Sequence, residues 1–154
     1  MDNSNFQTRE KECEIMVSMI PPRCKNVLEP TPGKGNLVRA IKSKGFSVIE
    51  PYDFWVIVNT EIKFDAICMN PPFTPMSEGY KILFACMDMS DNIIALMPWL
   101  TIINSERRTR AITSFGLKSV THLPRNAFKG SRVQTCILNM QKNHKGKCCL
   151  HFSA

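Results

Sequence analysis

No apolar stretch in this sequence approaches the roughly 20 residues that a bilayer-spanning helix requires, which excludes a transmembrane segment of that kind. The opening residues, MDNSNFQTREKECE, are polar and charged and lack the apolar centre of a secretory signal. The seven cysteines are odd in number and include no CxxC pair, which argues against a disulfide framework and points to a reducing, cytoplasmic setting. Cys68, Cys86 and Cys136 lie inside apolar runs, where cysteine acts as a small hydrophobe. The adjacent Cys148 and Cys149, with His144 and His151 nearby, match no standard zinc spacing and read as ordinary strand residues, so no metal is expected. Internal repeats, low-complexity tracts and linkers are missing too, which leaves a single domain over 1–154. Carboxylates are the scarcer charge: 13 Asp and Glu against 20 Lys and Arg give a net charge of +7. That balance suits an acidic partner, nucleic acid before any membrane.

What the sequence does contain is an alternation of helix and strand patterns. A helix is predicted over 8–20, stopped by Pro21 and Pro22, then a short strand over 26–29. PTPGKG forms a turn into a helix over 36–44, with Gly45 as its C-cap and a strand at 46–50. Residues 55–58 read as a short third strand, 64–69 as a buried strand, and Ser77 as the N-cap of a helix reaching about 89. A buried strand at 93–97, a basic helix at 104–115 closed by Gly116, and strands at 117–123, 133–140 and 148–152 complete the chain. The pattern calls for an α/β fold: a doubly wound, mostly parallel sheet with an antiparallel C-terminal edge.

Three sites carry chemistry. VLEPTPGKGN is a strand, an acid, a glycine turn and a helix start. It is no P-loop, because Lys34 is followed by Gly35 rather than Ser or Thr, and no dinucleotide fingerprint, because position 38 is Val. Gly33 and Gly35 let backbone approach a ligand closely, while Glu29 repels phosphate and attracts an ammonium group. The ligand so defined is a cation-bearing nucleoside. Glu50 closes the next strand, where an acid accepts hydrogen bonds from ribose hydroxyls, and Asp53-Phe54-Trp55 follows at once. The third site is Asn70-Pro71-Pro72-Phe73. Prolines cannot continue the strand before them, so NPPF is a loop at a strand's carboxyl end, where open α/β sheets bind ligands. An Asn, Asp or Ser followed by two prolines and an aromatic arises by chance in about one chain of this length in two hundred.

EPTPGKGN resembles the methionine-binding glycine motif of class I S-adenosylmethionine-dependent methyltransferases, and NPPF resembles the catalytic motif of their DNA adenine-N6 branch. FQT at 6–8 resembles the N-terminal cofactor-contacting segment of these enzymes, and DFW the segment lining the adenine pocket. MPWLTIINSERR and LPRNAF followed by VQTCILNMQK resemble the later strands of phage and type I modification enzymes. The resemblance runs over almost the whole chain and points to a phage or mobile-element origin. It implies a Rossmann-like fold with S-adenosyl-L-methionine held by Thr8, Glu29, Pro30, Gly33, Gly35, Glu50, Asp53 and Phe54. It implies catalysis by Asn70, Pro71, Pro72 and Phe73, with the base also held by Phe73. Only Pro51 and Tyr52 separate Glu50 from Asp53, where relatives usually have a helix and more, so one wall of the cofactor site is expected to be trimmed and either acid could take the ribose. A separate target-recognition domain is not expected.

The activity implied is methyl transfer to the N6 amino group of adenine in DNA. Arg107 and Arg108 then contact phosphate beside the target pocket, and Arg125, Lys129 and Arg132 extend that surface. Two other readings keep the same residues. RNA or a protein glutamine amide would serve as substrate, since each presents a planar nitrogen. Alternatively the chain is a cofactor- or DNA-binding accessory subunit that relies on a specificity subunit or on a second copy of itself.

Overall fold

Two stretches of the chain have both faces covered: AICM at 66–69 and NIIALMP at 92–98 are buried along their whole length. Such continuous burial is the mark of central strands in a sheet with helices on both sides. The computed structural model of the chain describes residues 8–128 and 133–153. Phe6, Lys129 and Arg132 lie outside the described residues.

The first half runs α1 (Glu10–Ser18), β1 (Asn26–Leu28), α2 (Asn36–Ser43), β2 (Ser47–Ile49), α3 (Phe54–Val58), β3 (Ala66–Met69) and α4 (Met76–Cys86). The second runs β4 (Asn92–Pro98), α5 (Leu100–Ile103), α6 (Glu106–Phe115), β5 (Leu117–His122), a 3₁₀ turn (Arg125–Ala127), β6 (Thr135–Gln141) and β7 (Cys149–Phe152). Among the described residues, seven strands form one sheet in the order β2-β1-β3-β4-β6-β5-β7. Strand β1 pairs in parallel with β2 and β3, and β3 with β4. Strand β6 runs antiparallel between β4 and β5, and β7 pairs in parallel with β5. The sheet is mostly parallel, with its antiparallel pairings on the C-terminal side, as the sequence pattern called for.

Period-two alternation sorts the central side chains. Ile67, Met69, Ile93, Ala95 and Met97 face one core, with Ile82, Leu83 and Cys86 of α4 and Ile112 of α6. Ala66, Cys68, Ile94 and Leu96 face the other, with Met16 and Val17 of α1 and Leu37 and Ile41 of α2. Cys68, Cys86 and Cys136 are buried free thiols, and burial pushes all three well above the ordinary range. They pack as hydrophobes, as their apolar surroundings in sequence suggested.

Three elements differ from expectation. Residues 55–58 are helical, not a strand: the Asp53 carboxylate accepts from the Trp55 N–H at 3.0 Å and caps α3, a local bond that outweighs the β preference of Trp-Val-Ile-Val. Ser77 does not cap α4, because the helix begins two residues earlier with Pro75 in the N-cap position, where proline's fixed φ suits an extended entry. A short helix that was not expected, Leu100–Ile103, precedes the basic one, which lies unbroken within the expected 104–115 as α6 and starts after Ser105, whose hydroxyl accepts from the Arg108 N–H at 3.3 Å. Gly116 closes α6 as expected, at φ +137, and a Cβ there would stand 2.0 Å from the Gln141 carbonyl oxygen.

Candidate active site

The site follows from strand order. Glu50, Glu29 and Asn70 come directly after β2, β1 and β3, which are neighbours in that order, so three loops converge at one carboxyl edge of the sheet. The middle loop is the most constrained. Pro30 and Pro32 have no N–H, so Thr31 supplies the backbone donor between them. It gives that N–H to Glu29 Oε1 at 2.7 Å. Gly33 and Gly35 take positive φ, +53 and +85, and Gly35 is the N-cap of α2. The first turn of α2 therefore opens toward the site through bare backbone.

Glu29 is 1% exposed. Burial raises its carboxyl to about 8, against the opposing bonds from Thr31, and the Glu50 charge raises it further. Among the described residues, no ion pair involves Glu29. The Thr31 hydroxyl lies 3.4 Å from Glu29 Oε1 and 3.2 Å from the Asn70 carbonyl oxygen. The Asn70 amide Nδ2 donates to Thr8 Oγ1 at 2.7 Å, and Asn36 Nδ2 donates to the Thr8 carbonyl at 3.1 Å. Thr8, Glu29 and Asn70, far apart in sequence, are thus joined by one chain of hydrogen bonds.

Loop 70–73 is braced from below. Pro71 is buried, and a Cβ on Gly79 of α4 would meet the Pro72 carbonyl at 2.9 Å and the Pro71 ring at 3.6 Å. Phe73 is half-buried, and its ring meets Phe128 edge to face with centroids 6.2 Å apart. Phe128 is 4% exposed, and sequence reasoning gave it no role of its own; the LPRNAF segment was its signal. Thr31, Asn36 and Gly79 were missed as well, since nothing in their local sequence marks a contact with the NPPF loop or, for Asn36, with Thr8.

The other expected residues are placed less centrally. Glu50 is exposed and pairs with Lys42 at 3.8 Å. Asp53 is occupied as the α3 cap, and Phe54 is 6% exposed in the core, with Trp55 against its ring at 5.1 Å. Arg107 is exposed. Arg108 is turned inward: its guanidinium donates to the Thr101 and Leu100 carbonyls at 3.1 and 3.0 Å and lies 3.9 Å over the Tyr80 ring. It clamps α5 and α6 onto α4. Arg110 pairs with Glu106 at 2.8 Å on an exposed helix face.

A parallel sheet with these loops at its carboxyl edge, extended by an antiparallel strand beyond β4, is the Rossmann-like fold of class I methyltransferases. Among solved structures, the type I restriction enzyme EcoKI M protein superposes with a TM-score of 0.70 at 12% identity, over 96% of this chain and 48% of that one. The methyltransferase subunit of a type I restriction-modification system from Streptococcus thermophilus gives 0.67 at 12% identity, over 90% and 45%. A dimethyladenosine transferase from Plasmodium falciparum gives 0.58 at 18% identity, over 88% and 62%. The chain thus spans about half the length of the two restriction-modification subunits. No protein-family model matches the sequence, and no curated protein does.

Proposed function

We propose that the chain is an S-adenosylmethionine-dependent methyltransferase acting on the exocyclic N6 amino group of adenine in DNA. The observation that carries this reading is Glu29: a buried carboxylate with no cation paired to it among the described residues, beside a glycine turn and bonded through Thr31 to the NPPF loop. Such a group calls for a cationic ligand. The ammonium of the cofactor's amino-acid part fits that demand, and the reading assigns Thr8, Pro30, Gly33 and Gly35 to the same cofactor. Glu50 is the acid open to the ribose, because Asp53 already caps α3.

When bound, S-adenosylmethionine supplies an activated methyl group on its sulfonium. The residues of the chain do the rest. The adenine amino nitrogen is a poor nucleophile, because its lone pair is delocalised into the ring. The Asn70 side-chain oxygen and the Pro71 carbonyl accept its two N–H bonds and localise that pair. Two prolines fix the backbone so that these acceptors need no reorganisation as positive charge develops on the nitrogen. Phe73 stacks on the extruded base, with Phe128 as the facing ring. The excess proton leaves to water after transfer. Arg107 contacts phosphate.

The test is incubation with labelled cofactor and DNA, RNA or protein in parallel, followed by identification of the methylated atom. N6-methyladenine in DNA is the expected product; label only in RNA or on glutamine replaces the substrate, and no label leaves the accessory reading.

A further inference from the structure

The Thr31 hydroxyl stands between two acceptors that belong to different tasks. One is Glu29 Oε1 at 3.4 Å, the carboxylate assigned to the cofactor's ammonium group. The other is the Asn70 carbonyl oxygen at 3.2 Å, in the peptide that leads into Pro71. A hydroxyl has one hydrogen to give, so the two acceptors compete for it. Its place is tightly set. Proline on either side restricts the backbone, and the Thr31 N–H is anchored on the same carboxylate oxygen at 2.7 Å. On the far side, Asn70 is held through its amide nitrogen by Thr8 Oγ1 at 2.7 Å. Asn70 is thus gripped at its main chain by Thr31 and at its side chain by Thr8.

We propose that Thr31 is a positioning residue that couples occupancy of Glu29 to the geometry of the Asn70 loop. With an ammonium group donating its own N–H bonds to Glu29, the lone pairs of that oxygen are taken up by the ammonium and the Thr31 N–H, and the oxygen no longer accepts the hydroxyl hydrogen. Thr31 then donates to the Asn70 carbonyl alone and tightens the loop around the target nitrogen. The loop is completed by the cofactor, in the order that avoids a base captured with no methyl donor present. This inference rests on the cofactor reading above and adds to it the link between the two halves of the site.

The test uses the full chain and three variants, Thr31→Val, Thr31→Ser and Asn70→Ala, with S-adenosylhomocysteine as a probe that bears the ammonium but no transferable methyl. Calorimetry gives its affinity, and amide hydrogen exchange reports on Phe73 and Thr74. The probe should slow exchange there by about fivefold in the parent and in Thr31→Ser, and by less than about twofold in Thr31→Val, the scale of one net hydrogen bond. Affinities of the parent and Thr31→Val should agree within about threefold, because the N–H anchor on Glu29 survives. In turnover, Thr31→Val should lower kcat by about tenfold with KM unchanged, Thr31→Ser should restore it, and Thr31→Val should cost clearly less in an Asn70→Ala background, where the Pro71 carbonyl is the acceptor left to position. Equal loop protection in Thr31→Val, or additive losses in the double variant, overturns the coupling. Failure of the parent to bind the probe at millimolar concentration overturns the cofactor reading itself, and the coupling with it.

Discussion

The two flanks of the candidate site are built differently. On the β1–β3 flank, Glu29, Thr31, Asn70 and Thr8 form a mostly sequestered chain of hydrogen bonds, with Gly79 and Pro71 packed beneath. On the β2 flank, Glu50 is exposed and pairs loosely with Lys42, and Asp53 is spent on a helix cap. Ile49, Tyr52, Trp55 and Val56 are exposed around them. A preformed site needs buried, satisfied groups, and only one flank has them. Under the proposed function, the amino-acid end of the cofactor and the reacting nitrogen would meet a rigid surface, and the nucleoside end a thin wall.

The sharpest way to break that comparison is Asn70→Ala on the rigid flank. Methyl transfer should fall by about a hundredfold or more, the usual cost of removing one preorganised partner of a developing charge. Cofactor-induced stabilisation should persist, since Glu29 and the glycine turn are untouched; label incorporation and melting curves check both. Transfer at the parent rate would move catalysis away from NPPF.

Next comes Glu29→Gln, which should weaken cofactor binding by roughly tenfold to a hundredfold, the range for a hydrogen bond to a charged group. It also has a pH signature. Burial raises the Glu29 carboxyl from 4.5 to about 8, so the folded state holds this proton more tightly than the unfolded chain does. Its contribution to stability is complete below the ordinary value and is lost as pH rises through the folded value. The melting temperature of the ligand-free protein should fall between about pH 5 and 8 in the parent, and less steeply in Glu29→Gln. Binding of the ammonium at neutral pH should release a proton, visible as a dependence of calorimetric heat on the buffer, and the variant should release none.

A smaller effect is expected on the open flank. Glu50→Ala should weaken cofactor binding by about tenfold, whereas Asp53→Ala should cost about 1 kcal/mol of stability through the lost cap and leave affinity nearly unchanged. The reverse pattern would assign the ribose to Asp53. The smallest effect separates the two arginines. Arg107→Ala should reduce the salt slope of DNA binding by about one phosphate, while Arg108→Ala should lower the melting temperature with little change in slope.

The two levels of reading explain what was legible. The succession of helices and strands, the two buried central strands and the loops at their carboxyl ends follow from apolar runs and proline and glycine punctuation, which are local. NPPF and the EPTPGKG turn were legible for the same reason. The short helix α3 was not, because a single cap at Asp53 decided between two weak preferences. The inward turn of Arg108 depends on Tyr80 and on the carbonyls of α5, partners that no spacing within α6 announces. Thr31 was hidden in a quoted motif, since its second partner sits 39 positions along the chain.

Strand β6 enters the sheet between β4 and β5, pairing Asn92 with Gln141 and Pro98 with Thr135. The order of synthesis differs from the order in space. When the first 122 residues have emerged from a ribosome, β2, β1, β3 and β4 can already associate, but β5 has no neighbour, because both of its partners, β6 and β7, come later. Until β6 arrives, β4 presents an unpaired edge that is apolar beyond Asn92, the kind of surface on which nascent chains aggregate or recruit chaperones. Closure of the β4–β6 pair is therefore expected to set the folding rate, and translation pauses placed before residue 135 should lower the yield of native protein more than pauses placed after residue 141.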